Sequence, residues 1–154
     1  MDWLSYDSAV CSIRRTLDVV GERWSLLILR EAFNGVRRFD QMRDHLGVSD
    51  AVLSARLRRL VEAGVLEAVP YQEPGSRTRN EYRLTSRGHD LYPVMIALLN
   101  WGDEHRAGSD GPPLEVVHDG CGEPARVEVR CAAGHVLDSA RESRVSPGPG
   151  ARLR

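Results

Sequence analysis

Two pairs of soft metal ligands lie near the carboxyl end of the chain. His118 stands three residues before Cys121, and Cys131 stands four residues before His135. Cysteine thiolates and imidazoles are the ligands of tetrahedral zinc sites, and a short spacing lets one turn present both members of a pair. The pattern makes His118, Cys121, Cys131 and His135 candidate ligands of one zinc site, and a plain β-hairpin without metal is the other interpretation of the same segment. No cofactor is expected to be required, and a zinc ion bound here would be structural.

The third cysteine, Cys11, falls near the start of a predicted helix, and Arg14 and Arg15 follow within one turn. Helix N-termini and nearby arginines favour the reactive thiolate form of cysteine in general. Cys11 is therefore a candidate redox sensor, and the alternative is a small apolar residue packed in an interface. With no signal peptide, the chain is expected in the cytoplasm, where a Cys121–Cys131 disulfide is disfavoured.

Catalytic motifs are missing from the sequence. All 21 Lys-plus-Arg positions are arginine, which excludes a lysine-bearing phosphate loop and Schiff-base chemistry. Neither Gly-x-Ser-x-Gly nor His-Glu-x-x-His occurs, and the remaining histidines stand in no catalytic arrangement. We therefore expect a protein that is not an enzyme. Arginine still binds phosphate and guanine in bidentate fashion, so nucleic acid remains a suitable ligand.

Charge is distributed unevenly along the chain. The net charge is −1, but residues 36–88 contain ten arginines and seven acids, whereas residues 89–110 contain one arginine and four acids. The first segment therefore carries a net charge of +3 and the second −3. A basic segment inside a neutral chain favours a local contact with a polyanion.

Hydrophobic periodicity predicts an ordered series of elements. Four helices are expected at 8–20, 23–33, 38–46 and 50–63, then strands at 65–69 and 80–85 around a turn at 73–79, then a helix at 87–106. Ser49 is the expected N-cap of the fourth helix, and Gly64 its C-terminal glycine. The pattern predicts a mainly α fold with a small β-wing (α+β), a winged helix-turn-helix.

The linker Gly108–Pro113 separates this domain from a short C-terminal β-hairpin extension. The expected organisation is a domain at 1–107, a linker at 108–113, a β-rich extension at 114–140 and a flexible tail at 141–154. Strands are expected at 114–118 and 125–131. Apolar runs are shorter than the roughly 20 residues of a membrane span, so no membrane contact is expected.

The residues expected to contact DNA fall in three places. The fourth helix presents a polar face, the wing turn carries arginines at its tip, and two arginines precede the third helix. The set is Arg37, Arg38, Ser49, Asp50, Ser54, Ala55, Arg58, Arg77 and Arg79. In the alternative interpretation these are solvated surface residues that pair with neighbouring acids.

Several motifs, in order, give the chain a resemblance to the HxlR family of winged helix-turn-helix transcriptional regulators. They are Cys11, Leu17–Gly21, Trp24–Glu31, Gly35–Phe39, Leu53–Leu57, Gly64–Leu66 and Tyr82–Gly88. The resemblance covers residues of about 11–102. It implies a dimeric bacterial regulator whose first and last domain helices form the dimer interface, and some relatives sense oxidants through an N-terminal cysteine.

We therefore expect a sequence-specific DNA-binding regulator that acts as a homodimeric repressor on double-stranded DNA with a pseudopalindromic operator. The helix at 50–63 would read the major groove and the wing would contact the adjacent backbone. A small molecule or an oxidant is a candidate effector. The alternative is a winged-helix protein-interaction module that does not bind DNA.

Overall fold

The computed structural model describes residues 2–154 and divides them into two compact units. One unit comprises Leu4–Tyr92 with Arg152–Arg154, and the other comprises Pro93–Ala151 with the first residues through Trp3. The boundary therefore lies earlier than the linker predicted at 108–113, and the last long helix groups with the C-terminal extension. Within residues 2–154, no helix combines the length and apolar character needed to cross a membrane.

Four helices form the first part of the winged-helix unit. They are α1 Ser12–Val20, α2 Arg23–Phe33, α3 Phe39–Leu46 and α4 Asp50–Glu62. Helix α1 begins later than the predicted residue 8, because Cys11 has an extended backbone (φ −63°, ψ 127°) and a separate 3-10 turn occupies Ser8–Val10. The other three helices match the predicted bounds within one residue.

The core of this unit lies where α2 packs against α3 and α4, and where α4 packs against the first strand of the wing. Its largest fully buried side chains are Ile28, Leu29, Met42, Leu53, Leu57, Leu60 and Leu66. Burying a side chain of this size contributes about 1.5–3 kcal/mol of transfer free energy. The spacing of the three leucines in α4 aims one face of the helix at the core, which leaves the opposite face to solvent.

The turn between α3 and α4 has the predicted chemistry. Gly47 ends α3 in the left-handed region (φ 62°), which glycine adopts without strain. Ser49 then caps α4, and its Oγ accepts a hydrogen bond from the amide of Val52 at 3.4 Å. This confirms Ser49 as the N-cap and fixes the direction in which α4 leaves the turn.

The wing is a two-stranded antiparallel sheet formed by β1 Leu66–Tyr71 and β2 Arg79–Leu84. Its register runs from Leu66 opposite Leu84 to Tyr71 opposite Arg79. The segment before α3 adds to this sheet, because the amide of Tyr82 donates to the carbonyl of Arg37 at 2.8 Å. The wing is thereby attached to the start of the helix-turn-helix.

The prediction of one helix over 87–106 was wrong. The structure has a short helix α5 at Ser86–His89 and a long helix α6 at Tyr92–Arg106. The break follows from Pro93, which has no amide proton to donate to the carbonyl of His89 four residues earlier. Thr85 caps α5, with its Oγ1 accepting from the amide of Gly88 at 3.1 Å.

The extension contains two small turns instead of the single predicted hairpin. Isolated bridges join Val117 to Pro124 and Arg130 to Val136, and no regular strand occurs at 114–118 or 125–131. The strand predictions were therefore wrong. Pro124 cannot donate to a ladder, and Gly134 (φ 87°) turns the chain back after a few residues.

The C-terminal tail was predicted to be flexible, and its end forms backbone pairs. Leu153 is bridged to Tyr6, and the amide of Asp7 donates to the carbonyl of Arg152 at 2.8 Å. Flexibility between residues 141 and 151 stays a prediction.

Candidate nucleic-acid interface

A groove of about 410 Å³ lies between α3, α4 and the wing. It is lined by Phe39, Asp40, Arg43, Asp50, Ser54, Tyr71, Arg77, Arg79, Asn80 and Tyr82. Two of the predicted residues of α4 and both predicted arginines of the wing therefore share one surface, although more than twenty residues separate them in the sequence. The fold thus brings onto one surface residues that are far apart in the sequence.

The exposed face of α4 is polar and small. Ser54, Ala55 and Arg58 are exposed, whereas Leu53 and Leu57 are buried. The side chain of Arg58 makes no ion pair or hydrogen bond with any described residue between 2 and 154. A free guanidinium beside small side chains is suited to approach the edges of base pairs in a major groove.

The two wing arginines differ in their contacts. Arg77 is exposed and has no ionic partner in the described part of the chain. Arg79 places Nη1 at 3.8 Å from Oδ2 of Asp40 on α3, with both side chains about half exposed. A surface pair of this kind contributes little to stability, so Arg79 can exchange the carboxylate for a phosphate.

Arg37 and Arg38 are adjacent in the sequence but differ in their contacts. Arg37 is exposed and its side chain has no partner among residues 2–154. Arg38 is engaged with the wing, because its Nη1 lies 2.6 Å from Oε1 of Glu73 and its guanidinium lies 4.8 Å from the ring centre of Tyr71. Arg38 therefore holds the tip end of the wing, where β1 ends and the turn begins, and Arg37 is the freer cation.

Sequence reasoning missed Arg43, which lines the groove from α3. Its Nε donates to Oδ1 of Asp44 at 2.7 Å, and its Nη1 lies 3.5 Å from Oδ1 of Asp50. The hydrogen bond from Arg43 holds the pKa of Asp44 below its usual value. The helical spacing from Asp40 to Arg43 could have indicated this, since residues three apart share a face.

Asp50, at the start of α4, is thus held by a neighbouring arginine. As an acceptor at a helix N-terminus, its carboxylate is also stabilised by the helix dipole. The groove contains both signs of charge: Asp40 and Asp50 face Arg43, Arg77 and Arg79. These two aspartates are among the seven acids that reduce the net charge of residues 36–88 to +3.

A buried carboxylate joins α2 to α3 behind this surface. The side chain of Glu31 is 3% exposed; its Oε1 accepts from Nη2 of Arg30 and its Oε2 from Nδ1 of His45, both at 2.6 Å. Burial by itself would raise the pKa of Glu31, but the hydrogen bonds from His45 and Arg30 outweigh it, and the pKa lies below 4.5. Glu31 therefore stays ionised and positions the first helix of the helix-turn-helix.

We expect Glu31→Gln to lower the free energy of unfolding by about 1–3 kcal/mol at pH 7, because it weakens charged hydrogen bonds to a buried group. The depressed pKa makes this contribution present above the unfolded value of 4.5 and lost as the pH falls through the folded value. Urea unfolding at pH 7 and below pH 4 measures it, with the exposed Glu62→Gln as control. If the loss of unfolding free energy in Glu31→Gln were larger below pH 4 than at pH 7, Glu31 would not be the ionised, hydrogen-bonded carboxylate described here.

The structure shows where the predicted redox sensor and the predicted zinc ligands lie. Cys11 is the N-cap residue of α1, is partly buried, and makes no capping hydrogen bond through its side chain. His118 Nδ1 lies 3.3 Å from Cys121 Sγ, and Cys131 Sγ lies 3.5 Å from His135 Nδ1. Among residues 2–154, however, no three His, Cys, Asp or Glu side chains form a metal-binding group.

The four predicted ligands are therefore two pairs and not one cluster. Each pair is formed locally within its own turn, and no buried side chain lies in residues 107–154 to draw the turns together. Zinc binding itself stays a prediction.

Comparison with known proteins gives consistent matches. The model of the HxlR-like helix-turn-helix family matches residues 19–110. The HTH-type transcriptional regulator Rv3095 of Mycobacterium tuberculosis is 46% identical over 143 residues, which cover 93% of this chain and 89% of that protein.

Two solved structures extend the comparison. The crystal structure of PA1607 is 41% identical, has a TM-score of 0.81, and is matched over 92% of this chain and 97% of its own. The redox regulator HypR in its oxidised form is 25% identical with a TM-score of 0.56, over 64% of this chain and 100% of its own. The match to PA1607 extends through most of the C-terminal part, whereas that to HypR is confined to about two thirds of the chain.

Proposed function

The chain belongs to the HxlR-like helix-turn-helix family of transcriptional regulators, and from that premise we propose that it is a homodimeric repressor that binds a pseudopalindromic operator in the cytoplasm. It is a regulator and not an enzyme. Helix α4 would enter the major groove, and the wing would contact the adjacent backbone or minor groove. Occupying a promoter is sufficient for repression.

The observation that carries this proposal is the shared surface of α4 and the wing. Ser54 and Asp50 from the helix and Arg77 and Arg79 from the wing line the same groove. A polar helix face beside a basic hairpin is the arrangement by which winged helices contact bases and phosphates together. Arg37, Arg58 and Arg77 are free to bind phosphate or base edges without breaking an existing ion pair.

Homodimer formation is supported by apolar rows on two helices. Ile13 and Leu17 of α1 are 72% and 56% exposed. On α6, Val94, Leu98 and Trp101 are 44%, 48% and 59% exposed. Each row follows helical spacing, so each helix presents a stripe that a second copy would bury. A twofold dimer would present two α4 helices to half-sites separated by one or more turns of DNA.

An oxidant is the class of effector that Cys11 would detect. Its thiol lies at the N-terminus of α1, a helix that carries one of the exposed apolar rows. Oxidation of the Cys11 thiol would change the conformation of α1, a helix that we assign to the dimer interface. The distance between the two α4 helices of the dimer would thereby change. The structural relative HypR, which is named a redox regulator, supports this input. A small apolar ligand between subunits is the alternative effector.

A titration of the protein against duplex DNA from its own promoter region tests the proposal. We expect specific binding whose affinity falls steeply between 50 and 200 mM salt, by roughly a hundredfold or more, because phosphate contacts release counterions. A scrambled duplex of equal length is the control. A protein-interaction module would bind both duplexes equally weakly at low salt, and that result would reject DNA-dependent regulation.

A further inference from the structure

The C-terminal extension has no hydrophobic core, and backbone hydrogen bonds within its turns hold its conformation. None of residues 107–154 is buried, and its two turns are each closed by one isolated bridge. The side chain of Asn100 supplies one anchor, because its Nδ2 donates to the carbonyl of Ala125 at 3.2 Å and its Oδ1 accepts from the amide of Val127 at 3.0 Å. Small segments without a hydrophobic core usually require a metal or a disulfide to order them.

The two His–Cys pairs have the separation that zinc ligands require. Zn–S and Zn–N bonds of about 2.3 and 2.0 Å at a tetrahedral angle place sulfur and nitrogen about 3.5 Å apart. The observed separations are 3.3 Å for His118 and Cys121, and 3.5 Å for Cys131 and His135. Each pair can therefore occupy one edge of a tetrahedron without rearrangement of its turn.

The first turn also shows a close fit around His118. An added Cβ at Gly120 would lie 2.8 Å from Cε1 and 3.4 Å from Nδ1 of that imidazole. Gly120 has no positive φ, so its backbone does not require glycine. The absence of a side chain there leaves space for the ring to lie over the turn towards Cys121.

We propose that His118, Cys121, Cys131 and His135 bind one zinc ion, and that metal binding brings the two turns together. The pairs are preformed, while their approach to one another is the step that the metal drives, since the described residues contain no group of three ligands. Four ligands from two turns complete a closed structural site, and the binding free energy is then ordering free energy for the extension. This inference does not depend on DNA binding.

The test is metal analysis of the full-length protein, purified without a polyhistidine tag and equilibrated with zinc sulfate. We expect about one equivalent of zinc in the wild type and less than about a tenth in Cys121→Ser and in Cys131→Ser. Cys11→Ser, which changes a cysteine outside the extension, is the matched control and retains the metal. Far-UV circular dichroism establishes that each variant keeps its helices.

A second variant tests the geometry of His118 without removing a ligand. Gly120→Ala should lower zinc affinity roughly tenfold by displacing the imidazole, whereas Gly108→Ala, which has open space around its Cβ, should not. Zinc below a tenth of an equivalent in the wild type, or two equivalents of which each cysteine variant loses one, would overturn the single site. An unchanged affinity in Gly120→Ala would overturn the assignment of His118.

Discussion

The variant Arg37→Ala/Arg58→Ala/Arg77→Ala should bind the operator roughly a thousandfold more weakly than the wild type at 0.1 M salt. Each arginine is exposed and makes no ion pair or side-chain hydrogen bond within residues 2–154. Loss of a base or phosphate contact costs about 1–3 kcal/mol, and three such losses combine to about this factor. Fluorescence anisotropy of labelled operator DNA measures the affinity. The slope of log affinity against log salt concentration should become shallower, by an amount that corresponds to about three contacts.

A matched control removes the same charge elsewhere. Arg126, Arg141 and Arg144 are exposed arginines of the C-terminal extension, and their replacement by alanine should change operator affinity by less than about tenfold, through long-range charge alone. Equal losses in the two triple variants would show that net charge, and not the groove surface, determines binding. Thermal unfolding should be similar in all three proteins, since the replaced side chains hold no other element.

Gly88→Ala should destabilise the protein by roughly 3 kcal/mol and lower Tm by roughly 6–12 °C. An added Cβ would lie 2.2 Å from the carbonyl oxygen of Val65 and 3.0 Å from Cδ2 of Leu84. The first of these atoms belongs to the backbone where α4 leads into the wing, so it cannot move away without shifting that segment. Differential scanning calorimetry gives the change.

Gly102→Ala is the control for this substitution. It lies within α6 and has no atom within 4 Å of its added Cβ. Alanine is favoured over glycine in a helix by about 1 kcal/mol, so this variant should be as stable as the wild type or more stable. If Gly88→Ala melted at the same temperature as Gly102→Ala, the close approach of α5 to the start of β1 would not constrain the fold.

The helix-turn-helix itself could be predicted from local signals. Ser49, Gly47 and Gly64 act within one turn of the backbone, and the buried leucines of α4 repeat with helical spacing, so no distant contact was required. The family motif gave the same arrangement independently. Local chemistry of this kind is readable from sequence because the cause and its effect lie a few residues apart.

The pairing of charges across the groove could not be predicted. Arg38 meets Glu73 across 35 positions, and Arg79 meets Asp40 across 39. These contacts arise only once the wing folds back against α3, and they separate engaged arginines from free ones. The sequence predicts the same kind of contact for all these arginines, whereas the structure distinguishes those with ion-pair partners from those without.

The wrong predictions, one helix over 87–106 and two strands in the extension, have causes that lie close by in the chain. The break between α5 and α6 follows from Pro93, which has no amide proton to continue one helix from His89. In the extension, the alternation of apolar residues predicts strands, but Val127 and Val129 are 40% and 59% exposed and no strand within residues 2–154 covers them. Alternation predicts a strand only where a second layer exists to bury one face.

Photocrosslinking from α4 tests the central claim most directly. Benzoylphenylalanine placed at Ala55, an exposed residue of α4, should crosslink to bases within each half-site of the bound operator. The same group at Ala9, exposed on the turn before α1, should give no crosslink. A complex that forms at full affinity but crosslinks from neither position, or equally from both, would contradict the placement of α4 in the major groove.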